Sequence, residues 1–300
     1  MSLSKYNLFS KNPSYSNKYC PYCGRLFSTF GTIEDIKNNT NKEHLIGRDF
    51  VPRNSFESPK NINFIFRACS SCNTRKADFE RQVSSVSLLN SLSDHSSNEQ
   101  KRILQKAQND YSGFRFTRGK KVIDATITHS INLETSMCNF KVGFCGPPQV
   151  DETVIANLAF MHMQGLIYFI FRKQNESIHL YKKYFHYYNS FWKDDWGNPS
   201  LDYLRKQTAT WTPLMIMTTA NNNFKIYIKT SDDIIFWLLE WNKFCRVCGF
   251  IGEYSKCSSI IEKIPEEDFK YIGKNENKIT TAIRRNTALK EDSPDFIFNN

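Results

Sequence analysis

The chain has 300 residues and a mass of 35.1 kDa, with 40 Lys and Arg against 30 Asp and Glu, a formal net charge of +10 and a pI of about 9.1. That length supports one large or two modest domains with their own cores, which excludes a mini-protein held only by staples. The basic balance favours a polyanionic partner and argues against an acidic scaffold.

In chain order, the opening MSLSKYNLFSKNPSYSNKYC carries no apolar signal-peptide core, and no run of eighteen apolar residues follows, so a cytoplasmic protein without membrane contact is expected. Residues 1–19 read as a polar arm and residues 20–85 as a small loop-rich module with short β-prone runs such as NFIFRA. DFERQVSSVSLLNSLSDHSSNEQKRILQKAQND has apolar residues at helical spacing on both sides of a Ser-rich break at 91–98, which predicts two helices and makes residues 86–110 a helical connector. FRFTRGKKVIDATITHSIN predicts a hairpin across Gly119, and CNFKVGFCGPP predicts a further strand. DETVIANLAFMHMQGLIYFIFRK predicts a helix of roughly twenty residues, and WTPLMIMTTANNNFKIYIKT a strand, an Asn-rich turn and a strand. DDIIFWLLEWNKFCRVCGF begins with acidic residues suited to a helix N-terminus and is read as a helix, and the tail from Glu266 is charged and weakly periodic. The fold class is therefore α+β, with residues 111–300 as a larger mixed domain whose role (substrate recognition, sensing, partner binding or oligomerisation) has no motif to specify it.

Nine cysteines, an odd number without a secretion signal, point to reduced sulfur serving as metal ligands and core thiols. CPYC (Cys20, Cys23) and CSSC (Cys69, Cys72) supply four thiolates able to converge as a tetrahedron on a structural Zn²⁺. Inside the loop they close, NKEHLIGRDFVPRNS sets Glu43 beside His44, with Arg48 following. NINFIFRACSSCNTRK then places Asn61 and Asn63 before the second pair and Asn73, Arg75 and Lys76 after it. Between Met1 and Ser85 there are thirteen Lys and Arg against seven Asp and Glu, so the module is itself basic. Taken alone, Asn73 suits the N-cap of a helix beginning near Thr74. CRVC (Cys245, Cys248) repeats the spacing and, with Cys257 and Cys138 or Cys145, is a weaker candidate for a second zinc site, core thiols being the alternative. His162 and the run HLYKKYFHYYNSFWKDDW, with Lys182, Lys183, Tyr187 and Trp192, offer either a nucleic-acid platform or a solvated edge with aromatic core residues.

The combination of CxxC, Glu-His, a middle Asn, then CxxCN and Lys resembles the HNH endonuclease family in its four-cysteine, zinc-bearing form. The likeness covers Cys20 to about Glu80, roughly a quarter of the chain, and implies a ββα-metal module. By that resemblance His44 ends the first strand and acts as general base, while Glu43 and Asn73 hold a catalytic divalent cation, Mg²⁺ or Mn²⁺. Asn63, with Asn61 as the alternative, positions the loop, and Arg48, Arg75 and Lys76 meet phosphate. Gly47 stands where many members have Pro. The implied activity is hydrolysis of DNA phosphodiester bonds, in defence against foreign DNA or in a mobile element. An RNA-cutting enzyme and a non-catalytic zinc-ribbon nucleic-acid binder are the alternatives.

Overall fold

The computed structural model describes residues 17–114, 117–125, 127–134, 139–146, 148–171, 184–265, 269–274, 280–284, 286–290, 295 and 298. At the N-terminal end, helix α1 (Ile33–Asn39) starts at a capping box between Thr32 and Asp35 and leads into strand β1 (Thr40–His44). Strand β2 (Ile65–Cys69) pairs antiparallel with β1, Thr40 opposite Cys69 and His44 opposite Ile65, and passes without a loop into helix α2 (Ser70–Asn90). After a 3₁₀ turn at Leu92–Asp94, helix α3 (Ser97–Asn109) buries Ile103 and Ala107. The two helices and their polar break are thus found, with α2 beginning at Ser70, eight residues before the periodic stretch from Asp78, and residue 85, the expected module boundary, lies inside α2.

Strands β3 (Ile127–Glu134) and β4 (Asn139–Gly146) form a hairpin of their own. Among the described residues the hairpin expected across Gly119 is not formed. Gly119 sits in a turn at φ +82°, one bridge joins Tyr111 to Lys121, and β3 takes its partner from CNFKVGFCG, where eight residues pair in unbroken register. Helix α4 (Glu152–Phe171) matches its predicted span. It is long and apolar enough to cross a membrane by length and composition, but 61% of its apolar window is buried inside the protein, so its hydrophobic surface is core.

A five-stranded antiparallel sheet follows, built from β5 (Phe185–Trp192), β6 (Thr212–Thr219), β7 (Phe224–Ser231), β8 (Ile234–Trp241) and β9 (Cys245–Ile251) in the order β5-β9-β8-β7-β6. Here the expected helix over 232–250 is replaced by the β8–β9 hairpin, turned over Asn242, Lys243 and Phe244, with Asn242 and Lys243 at positive φ and the Phe244 amide donating to the Trp241 carbonyl. The reason is burial on both faces. Along β8, Trp237, Leu239 and Trp241 join one core while Phe236 and Leu238 join the other, so the strand reads as a continuous apolar run rather than an alternating one. Helices α5 (Pro199–Gln207) and α6 (Tyr254–Ile261) cover the second face through Leu201, Leu204 and Cys257. The charged tail also pairs, β10 (Phe269–Lys274) with β11 (Thr280–Arg284), where weak periodicity predicts no strand.

The first core is continuous from Cys20 and Phe27 through Leu45, Phe64 and Phe66 between the two CxxC pairs, across α4, to Trp237 and Trp241 of the sheet. Polar ties reinforce it. Thr219 Oγ1 accepts from the Ile62 amide at 2.7 Å, the Asn221 amide donates to Asn61 Oδ1 at 3.0 Å, and Asn242 Nδ2 donates to the Phe50 carbonyl and to Ser87 Oγ.

α4 packs tightly against the end of β1 and against β2 at Gly165, where an added Cβ would lie 2.3 Å from Leu45 Cδ1 and 3.4 Å from the Phe66 ring. Gly165→Val should therefore overpack this seam and lower the urea unfolding free energy by about 1–3 kcal/mol. A variant as stable as wild type would show that the seam is loose.

Candidate active site and metal centre

The four sulfurs of Cys20, Cys23, Cys69 and Cys72 lie within 4.8 Å of one another, with Cys23 and Cys69 Sγ 3.7 Å apart. Tetrahedral Zn–S bonds of ~2.3 Å place ligand sulfurs about 3.8 Å apart, so the cluster can hold a metal ion such as zinc. Each pair comes from a tight local structure. Gly24 at φ +71° lets the first knuckle turn back, its amide donating to the Cys20 carbonyl, and Cys69 and Cys72 span the step from β2 into the first turn of α2. Protons alone do not reconcile these thiols. A hydrogen bond from Cys72 pulls Cys20 down to about 5, the same bond pushes Cys72 far up, and burial pushes Cys69 up. A soft dication such as zinc would supply the positive charge that four converging thiolates lack.

One helical turn further along α2, a cleft of about 420 Å³ opens between the helix and the end of β1. Glu43, His44, Arg48, Asn73, Lys76 and Glu80 are among the residues lining it, with Lys42, Arg81 and Lys106 adding positive charge. His44 is the last residue of β1 and half-buried. Among the described residues neither its ring nor the Asn73 side chain has a hydrogen-bond partner. Burial, followed by Arg48, Lys42 and Lys76, pushes the His44 imidazole down to about 4, so it is neutral at pH 7 and can accept a proton.

Beneath the cleft lies a buried charge cluster. The Lys76 ammonium, 1% exposed, has three acceptors for its three protons: Glu43 Oε1 at 2.8 Å, Glu80 Oε1 at 2.9 Å and the His44 carbonyl at 3.0 Å. The Tyr22 hydroxyl also donates to Glu43 Oε1 (2.9 Å), the Gly47 amide to Glu80 Oε1 (2.9 Å), and His162 Nε2 of α4 to Glu80 Oε1 (3.3 Å). Burial opposes every charge here. At Lys76 the two carboxylates outweigh it and hold the ammonium above its ordinary value; at Glu80, Lys76 and His162 outweigh it and the carboxyl falls; at Glu43 burial prevails and the carboxyl rises. His162, wholly buried, falls to about 4, chiefly by burial, against the pull of Glu80.

The predicted residues are thus sorted by geometry. Glu43, His44, Asn73 and Arg48 share the cleft; Arg75 is exposed on α2 outside its lining. Lys76 is not presented to a phosphate, because two carboxylates and a carbonyl consume its protons. Asn73 is no N-cap, since α2 already begins at Ser70 and Cys69 holds that position. Of the two middle asparagines, Asn63 grips the loop after His44, accepting from the Ile46 amide at 3.1 Å and donating to its carbonyl at 2.6 Å, while Asn61 is tied to the sheet. Tyr22, Glu80 and His162 were not legible as parts of this site; only the i,i+4 spacing of Lys76 and Glu80 carried a signal.

The weaker constellations resolve as core. Cys245 and Cys248 are three apart on β9 and enter opposite hydrophobic clusters, so they cannot chelate together, and Cys257 lies with Cys248. Among the described residues no second group of three or more such ligands converges. Cys138 lies outside the described residues, as do Lys182, Lys183 and the side chain of Cys145. His162 is fully buried, His186 Nε2 meets the Gly252 carbonyl at 2.9 Å, Tyr187 donates to Glu152, and Trp192 packs against the core. Compared with known protein families, curated proteins and solved structures, the chain matches none.

Purified protein should carry one zinc per chain by elemental analysis, and Cys72→Ser should remove it and cost at least about 3 kcal/mol of unfolding free energy. Cys248→Ser, in the apolar core, should leave the zinc content unchanged; zinc loss there would count against the assignment. His162 supplies a second measurement. Its folded pKa of about 4 lies below the ordinary 6.5, so the folded state binds fewer protons and stability is lost as pH falls from 6.5 towards 4. Between pH 7 and pH 5 its share is about 2 kcal/mol. Urea unfolding of wild type and His162→Gln should show that much less pH dependence in the variant, and equal slopes would refute the burial of a neutral imidazole.

Proposed function

We propose that the protein is a metal-dependent endonuclease of the HNH type that hydrolyses DNA phosphodiester bonds. The observation that carries the reading is the shared cleft: a neutral imidazole without a protein partner among the described residues stands with a carboxylate and an amide oxygen beside a four-cysteine clamp. The donor set fits a hard divalent cation, since Glu43 and Asn73 offer only oxygen and both described hydrogen bonds to Glu43 fall on Oε1, leaving Oε2 for a ligand. When bound, Mg²⁺ or Mn²⁺ would polarise the scissile phosphate and steady the departing oxygen.

His44 takes the proton of the attacking water at its ring nitrogen. Its place is held from both sides of the backbone, by Lys76 on its own carbonyl and by Asn63 on Ile46 two residues later. Lys42 and Arg48 bring the polyanion to the cleft by charge, while Arg81 is paired with Asp78 and Lys106 with Asp110. Residues 111–300 would recognise substrate, sense a signal or bind a partner, and a cytoplasmic setting in defence against foreign DNA or in a mobile element is a family-level analogy.

Zinc-loaded full-length protein is offered supercoiled plasmid and, separately, RNA with Mg²⁺ or Mn²⁺. Nicking of DNA that stops with EDTA and falls at least about 100-fold in His44→Ala, with DNA binding retained, is the expected result. Equal background cleavage by wild type and His44→Ala would leave a zinc-bearing binding protein, and cutting of RNA alone would reassign the substrate.

A further inference from the structure

We infer that Glu80 is a positioning residue that keeps Glu43 open to a divalent cation, by sharing the Lys76 ammonium and by anchoring the loop that follows His44. The inference deepens the nuclease reading of the cleft and rests on it for the cation.

Charge arithmetic comes first. Glu43 and Glu80 lie at almost the same distance from Lys76, 2.8 and 2.9 Å, so one ammonium answers two carboxylates and, with His162 neutral, the buried cluster carries a net charge of −1. Were Glu80 uncharged, Lys76 would neutralise Glu43 alone and a dication arriving at its free oxygen would meet a net charge of zero beside a fixed ammonium. In a partly buried site one added charge at a few ångströms is worth more than a tenfold change in affinity.

The loop comes second. Glu80 Oε1 accepts the Gly47 amide, and a Cβ at Gly47 would stand 2.3 Å from Oε2, so a side chain there would displace the carboxylate. A proline, with no N–H, could not make the hydrogen bond at all. Gly47, a departure from the resembled pattern, keeps the donor that Glu80 accepts.

The third support is remote. His162 projects from α4 into the cluster and donates to the same carboxylate oxygen, with Phe50, Phe224 and Trp241 packed around its ring at centroid distances of 5.2–5.5 Å. The sheet core therefore reaches the cleft through a chain of three side chains, His162, Glu80 and Lys76.

The test is Mn²⁺ binding to zinc-loaded protein, followed by loss of the free-ion electron paramagnetic resonance signal, in parallel with plasmid nicking. Glu43→Gln serves to identify the site. Glu80→Gln should weaken Mn²⁺ binding at least tenfold and raise the half-saturating Mn²⁺ concentration for nicking by the same factor, with little change in KM for DNA. A merely structural role would lower the active fraction without moving that concentration. The Lys76→Gln/Glu80→Gln double variant restores the net charge of −1 and should bind Mn²⁺ within threefold of wild type; if the single variant does not fold, this protein decides alone, and a tenfold loss in it overturns the inference. Equal affinity in wild type and folded Glu80→Gln, or no Mn²⁺ binding by wild type, also overturns it. Wild type that binds Mn²⁺ with the expected pattern but cuts neither polymer sinks the nuclease reading and leaves the role of Glu80 standing.

Discussion

One buried ammonium, that of Lys76, organises the cleft of this protein. Taking a lysine out of water costs several kcal/mol unless its protons and its charge are both answered, and Lys76 answers all three protons within the protein. Because its partners come from β1, from the end of β1 and from a later turn of α2, satisfying the lysine fixes the angle between strand and helix. The cleft is the space that this angle leaves.

Two supports of different chemistry hold the ends of the arrangement. The sulfur cluster fixes the start of α2 against the end of β2, and the charge cluster fixes the helix two turns later against β1. Asn73 lies between them, on the same helical face as Lys76 and Glu80, so its position is set by both. His44 is placed by its backbone rather than its ring, which leaves the imidazole free of a competing partner among the described residues.

Legibility in the sequence followed distance along the chain. The CxxC pairs, α4 and the Ser-rich break are local patterns, and each is found where expected. Lys76 was visible as a residue but not as a buried one, because its two acids lie 33 positions before it and four after it, and only the fold makes them one cluster. His162 is 82 positions from Glu80. β8 and β9 are hidden for a different reason: buried on both faces, they lose the alternation that marks a strand, and their apolar run reads as a helix. The β10–β11 pair shows the opposite failure, a strand pattern diluted by charge.

The ties between Ile62 and Thr219, between Asn61 and Asn221, and from Asn242 to Phe50 and Ser87 have a consequence for dissecting the chain. Cutting it between the cleft and the sheet would bare backbone groups and apolar side chains. The segment carrying the cleft shares its interior with the sheet, so neither half holds a complete core alone, and a change in either is felt by the other.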